Sequence, residues 1–141
     1  MIKHYVDENG TEQWLKDGVR HREDGPAVIY AYGDQIWYQN GQLHREDGPA
    51  IVRTNGVRAW YINGQRHRID GPACILLNGR LEWWQNDILH RRDGPAIITD
   101  TGKSEWYYNG NRYKTGRIFQ SKSGISDEEL IMLMLKYGGL K

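Results

Sequence analysis

His44-Arg45-Glu46-Asp47-Gly48-Pro49-Ala50-Ile51-Val52-Arg53-Thr54-Asn55-Gly56-Val57-Arg58-Ala59-Trp60-Tyr61-Ile62-Asn63-Gly64-Gln65-Arg66 is one complete turn of a pattern that fills most of the chain. The motif His-Arg-x-Asp-Gly-Pro-Ala begins at His21, His44, His67 and His90, a spacing of 23 residues each time. Trp14, Trp37, Trp60, Trp83 and Trp106 keep the same spacing, as do Gly10, Gly33, Gly56, Gly79 and Gly102. A further column, Gly18, Gly41, Gly64 and Gly110, is interrupted once by Asp87. Columns that share one phase define a repeat protein, whose units bury one another rather than each closing a core of its own.

Within the quoted unit, Ala50-Ile51-Val52-Arg53 is short and β-branched, as a strand requires. Asn55-Gly56 predicts a tight turn with positive φ at both central positions. Arg58-Ala59-Trp60-Tyr61 returns as a second strand, Asn63-Gly64 turns again, and Gln65 to Arg68 makes a third. Asp-Gly-Pro-Ala restarts the chain: proline lacks an N–H and suits the first residue of a strand, glycine tolerates unusual backbone angles, and Asp can cap the turn. By the two-residue period, Ala50 and Val52 share one face and Ile51 takes the other, so both faces carry apolar columns. Each indole of the Trp ladder, if buried, removes about 150–250 Å² from water.

The end of the chain changes character. Ser126-Asp127-Glu128-Glu129 has the form of a capping box, which predicts a helix over about 126–137 that Gly138-Gly139 stops. The fold class expected is mainly β: an elongated, twisted antiparallel sheet of 23-residue hairpin units over residues 1–117. A linker and a capping helix follow over 118–141. Leu130, Leu133, Met134 and Tyr137 share a face of that helix, which either covers the last unit or mediates self-association.

Composition bounds the function. Lys+Arg number 19 against 18 Asp+Glu, which argues against a general polyanion binder. No apolar run approaches the length of a membrane span, and the N-terminus lacks the apolar core of a signal peptide. A single cysteine, Cys74, in an apolar strand column, reads as a buried, inert thiol in a reducing, cytoplasmic compartment. A His–Asp pair per unit falls short of the four ligands of a closed zinc site, so no metal and no cofactor are expected. Repetition argues against catalysis, because equivalent positions make equivalent environments.

Positions that vary between copies are free to serve a partner. The third residue of His-Arg-x-Asp reads Glu23, Glu46, Ile69, Arg92, running from acidic to basic. The residue before the histidine reads Arg20, Leu43, Arg66, Leu89, and the position two before each Trp includes Arg58. These rows, with the arginines Arg45, Arg68 and Arg91 and the aromatic column Tyr38, Tyr61, Trp84 and Tyr107, are the candidate binding residues. The arginines and aromatics together could also stack on a nucleotide or a single-stranded nucleic acid, unless each arginine is spent on its own aromatic and aspartate.

Asn40-Gly41-Gln42-Leu43-His44 and Asn63-Gly64-Gln65-Arg66-His67, with the 23-residue period, resemble the MORN repeat over about residues 1–115. MORN units usually continue after the histidine with Gly-x-Gly, where this chain has Arg-x-Asp-Gly-Pro-Ala; it is closer to a variant found in phage, giant-virus and some bacterial proteins. The resemblance implies a curved antiparallel sheet used for protein contacts and self-association, with no catalytic activity. A small phage or viral protein that binds and blocks a host factor, or dimerises through a sheet edge or the terminal helix, fits that expectation.

Overall fold

A computed structural model describes residues 1–114 and 116–137. The first unit supplies β1 (Ile2–Val6), β2 (Glu12–Lys16) and β3 (Val19–Arg20). The second supplies β4 (Val28–Ile29), β5 (Gln35–Ile36), β6 (Tyr38–Gln39) and β7 (Gln42–Leu43). The third has β8 (Ile51–Val52), β9 (Arg58–Ala59), β10 (Tyr61–Ile62) and β11 (Gln65–Arg66). The fourth has β12 (Cys74–Ile75), β13 (Leu81–Glu82), β14 (Trp84–Gln85) and β15 (Ile88–Leu89). The last has β16 (Ile97–Ile98), β17 (Ser104–Tyr108) and β18 (Asn111–Tyr113), followed by helices α1 (Gly116–Ser123) and α2 (Asp127–Tyr137).

Mainly β architecture, with one long antiparallel sheet of hairpins, is what the sequence predicts. Among the described residues the long sheet has twelve strands in the order β1-β2-β4-β5-β8-β9-β12-β13-β16-β17-β18, with β3 attached to β2. The three middle units each feed two strands into it, and the first and last feed three. The remaining pairs, β6-β7, β10-β11 and β14-β15, form a second row of two-stranded hairpins beside it. The tryptophans join the two rows. Trp37 N–H donates to Ala50 O in the long sheet, while Trp37 O accepts from His44 N–H at the small hairpin, and Trp60 and Trp83 repeat both bonds.

The two turns of a unit differ. Asn40 and Gly41 have φ of 49° and 77°, and Asn63 and Gly64 repeat this, so it is the second turn, not the first, that has positive φ at both positions. At Asn55-Gly56 only the glycine is positive, at 96°. Gly56 N–H donates to Arg53 O and Arg53 N–H to Val57 O, which places the glycine after an ordinary turn rather than within a two-residue one. Asp87, which interrupts a glycine column, holds φ at 64°. Its carboxylate takes Arg66 Nε from the preceding unit, an ion pair that offsets the cost of a non-glycine residue there.

Ala27, Ala50, Ala73 and Ala96 are fully buried, and Val28, Cys74 and Ile97 nearly so, which confirms that both faces of the long sheet are covered. The Trp ladder is not fully buried. Trp14, Trp37, Trp60 and Trp83 are intermediate in exposure, and only Trp106, at 3%, is enclosed.

Trp106 is enclosed because the linker expected over 118–125 is largely a helix. Phe119 of α1, Ile125 and Leu130 form a core with Trp106, and Tyr108, Tyr113, Leu133, Met134 and Tyr137 pack on it. Gly124, at φ 70°, ends α1 and donates its N–H to Gln120 O. The capping box of α2 is present: Glu129 N–H donates to Ser126 Oγ at 3.2 Å, and Ser126 N–H to Glu129 Oε2 at 2.7 Å. The Gly138-Gly139 stop lies outside the described residues. Leu130, Leu133, Met134 and Tyr137 therefore face the end of the sheet, and the apolar α2 side chains left exposed are Ile131, Met132 and Leu135.

Candidate interaction surface

The histidine column has a role that sequence reading misses. Asn40 N–H donates to His21 Nδ1 at 3.0 Å, and Asn63, Asn86 and Asn109 donate likewise to His44, His67 and His90. Each bond reaches from the histidine that follows one hairpin to the turn of the next hairpin. An N–H pointed at Nδ1 requires a lone pair there, so the proton of the neutral ring is on Nε2. In His21 that Nε2 faces Glu23 Oε1 at 3.3 Å. Two backbone bonds accompany each staple: Gly41 N–H donates to Arg20 O, and Arg22 N–H to Tyr38 O, with equivalents at the later joints. Spacing alone shows that a histidine recurs every 23 residues, but it cannot show that the partner is a backbone amide in the turn of the next hairpin.

The arginines of the repeated motif are spent internally. Arg22, Arg45, Arg68 and Arg91 lie over Trp14, Trp37, Trp60 and Trp83, with guanidinium carbon 3.9–4.0 Å from the ring centroid. Nε of each donates to the Asp two residues on, at 2.8–3.0 Å. Nη1 donates to the carbonyl of the Pro four residues on, at 3.1–3.2 Å. Asp24 and Asp47 are held below the usual carboxylate range, first by that hydrogen bond and then by the arginine's charge. Their main partner is thus the arginine rather than a turn amide.

The glycine of Asp-Gly-Pro-Ala is there for space. None of Gly25, Gly48, Gly71 and Gly94 has positive φ. A Cβ at Gly71 would stand 2.8 Å from Arg68 Cζ, and at Gly94 2.7 Å from Arg91 Cζ. The guanidinium is sandwiched between an indole and a bare Cα.

The other candidates separate into engaged and free groups. Arg58 Nη1 donates to Arg53 O and Val57 O, closing its own turn. Arg92 donates to Ser123 O and Gly124 O at the end of α1, and Arg91 Nη2 to Tyr137 OH at 2.9 Å, so both hold the terminal helices. Tyr38, Tyr61, Trp84 and Tyr107 are half-buried. The guanidinium groups of Arg45, Arg68 and Arg91 lie over Trp37, Trp60 and Trp83 and not over these rings. Tyr38 takes Arg20 and Trp84 takes Arg66, at 5.3 and 3.5 Å. Trp84 Nε1 donates to Glu82, and Tyr107 OH to Glu105. Asp34, which no motif marks, is buried and accepts Thr54 N–H and Oγ1 from the next unit.

What remains exposed is a row on the repeated loops. Glu23, Glu46 and Ile69 are 75%, 85% and 71% exposed, beside the exposed Asp24, Asp47, Asp70 and Asp93. A groove opens between each loop and the next. The first, about 610 Å³, has carboxylates Glu23, Asp24, Glu46 and Asp47 around Trp37. The second, about 560 Å³, exchanges part of that charge for Ile62 and Ile69. The third, about 510 Å³, is bounded by Ile69, Asp70, Asp93 and Arg92. The row runs from acidic to apolar across a surface whose framework is constant.

Among the described residues no three His, Cys, Asp or Glu side chains are placed to hold a metal ion, and no helix is long and apolar enough to cross a membrane. Cys74 is buried, and burial pushes its thiol up to about 11. No protein-family model matches the chain, and no curated protein or solved structure does either.

Proposed function

We propose that this chain is a non-enzymatic protein-interaction module that engages its partner along the loop row Glu23–Asp24, Glu46–Asp47 and Ile69–Asp70. The observation that carries this reading is the division of labour in the repeat. The side chains shared by every copy are used up in holding copies together, while the position that differs between copies points to solvent. The partner is a protein with an extended basic segment for the acidic grooves and an apolar contact for Ile69. With Arg45, Arg68 and Arg91 bonded internally, a nucleic acid would meet mostly carboxylates on this row, which disfavours the nucleotide-binding alternative. The reading extends to a viral inhibitor of a host factor through the MORN-like resemblance alone.

A photo-crosslinking amino acid at Glu46 or Ile69, expressed in the source cells, is expected to trap a defined protein. The same group at Tyr32, exposed on the opposite turn of the unit, is expected to trap none. Adducts from Tyr32 with none from Glu46 or Ile69 would overturn the assignment.

A further inference from the structure

The two ends of the long sheet are finished differently. At one end α1 and α2 stand against β17 and close over Trp106. At the other, β1 pairs with β2 on one side and presents its other side to solvent, all five residues exposed. Every corresponding strand inside the array, β4, β8, β12 and β16, is paired on both sides.

The direction of the β1 amides follows from the register. His4 stands opposite Trp14, and Trp14 sends its N–H to Ala27 O and receives His21 N–H at its carbonyl, both away from β1. His4 is therefore in a pair without backbone bonds to β2. Because bonded and non-bonded pairs alternate, Lys3 and Tyr5 bond inward, and Ile2, His4 and Val6 carry outward N–H and C=O groups. The inward N–H of Asp7, donated to Thr11 O, continues the alternation.

We infer that this edge is an interface with a second copy of the chain, formed by two antiparallel β1 strands about a two-fold axis at His4. The register is self-complementary. Ile2 stands opposite Val6 of the second copy and His4 opposite its counterpart, each pair exchanging two backbone hydrogen bonds. Lys3 stands opposite Tyr5, so no two lysines meet. Ile2 and Val6, exposed in the single chain, cover each other across the joint. Each His4 keeps Glu12 Oε2 at 2.9 Å and Trp14 beneath its ring, so the two imidazoles meet with their own carboxylates beside them. Since helices occupy the opposite end, copies meet β1 to β1, and the assembly closes as a dimer instead of growing into a fibre.

Sedimentation velocity across a concentration series tests this, together with amide hydrogen exchange. The mass is expected to rise from 16.4 kDa to twice that value with concentration. Ile2, His4 and Val6 amides should become protected only as it does, while Lys3 and Tyr5 are protected throughout. Val6→Pro removes an outward N–H and no inward bond. It should weaken dimerisation at least about tenfold and leave melting of the dilute monomer unchanged. A monomer at every concentration overturns the inference, and so does a dimer indifferent to Val6→Pro. A dimer lost in Leu135→Glu instead places the interface on the exposed face of α2.

Discussion

Replacing Gly71 by alanine tests the idea that this glycine exists to let an arginine lie flat. The backbone there is not in the left-handed region, so alanine brings no intrinsic strain. By restricting the unfolded chain it should even contribute about 0.5 kcal/mol of stability. Against that, the new Cβ would stand 2.8 Å from Arg68 Cζ. Arg68 must then lift from Trp60, losing a half-exposed cation–π contact of about 1 kcal/mol. Its bond to Pro72 O goes as well, worth about 1.5 kcal/mol for a charged donor. The exposed Asp70 pair adds at most about 0.5 kcal/mol. The net expectation is a loss of about 2 kcal/mol in urea unfolding followed by tryptophan fluorescence. In an Arg68→Ala background the same Gly71→Ala change meets no guanidinium and should be neutral or slightly stabilising, a coupling of about 2 kcal/mol or more. Gly79→Ala is the contrast. Its Cβ meets open space, but φ is 85°, so it should cost about 1–2 kcal/mol whether or not Arg68 is present. An equal cost for Gly71→Ala in both backgrounds would refute the sandwich.

His90 is expected to make the array sensitive to acid. Burial holds its pKa below the ordinary imidazole value, so the folded state favours the neutral ring that accepts Asn109 N–H. Its contribution is complete above about pH 6.5 and declines as pH falls through that value toward the depressed folded one; melting of wild type and His90→Ala should therefore converge as pH drops from 7 to 5. Arg66→Ala should destabilise the chain by about 1–2 kcal/mol, and Asp87→Gly in that background should recover part of it by relieving the positive φ, measured by thermal melting. Cys74 should resist iodoacetamide at pH 8 in the folded chain and react only as the array unfolds, read by mass spectrometry. Trp106→Ala, which opens the one enclosed indole, should cost about 3–5 kcal/mol and release α1 and α2 as seen by hydrogen exchange; Trp60→Ala should cost less, because Trp60 is half-exposed.

The repeat and its strands were legible because side-chain period and turn chemistry are local properties. Asn63-Gly64 dictates its own backbone, and the Ser126–Glu129 box dictates its own helix start. What could not be read is whatever depends on how the hairpins and loops come together in space. His67 looks like a metal ligand or a core imidazole until Asn86 N–H is placed against it. Gly71 looks like a turn residue until Arg68 is laid across it. α1 is short, and Gly124 marks its end. For the candidate surface, the varying row was visible as a difference between copies. For the arginine column, the alternative that each is spent on an aromatic and an aspartate is the one found, while nothing in the spacing shows which indole it takes or that a proline carbonyl completes the set.

The joints between units are all made from the same few backbone and imidazole bonds, set between strands only two residues long. Removing residues 44–66 would bring one such backbone and imidazole joint against another of the same make, with no strand cut through, although the side-chain links Asp34–Thr54 and Arg66–Asp87 would be lost with it. Length in this molecule is therefore a quantity that duplication or loss of 69 base pairs can adjust in whole steps, so a lineage can add or discard a recognition groove without redesigning the scaffold that carries it.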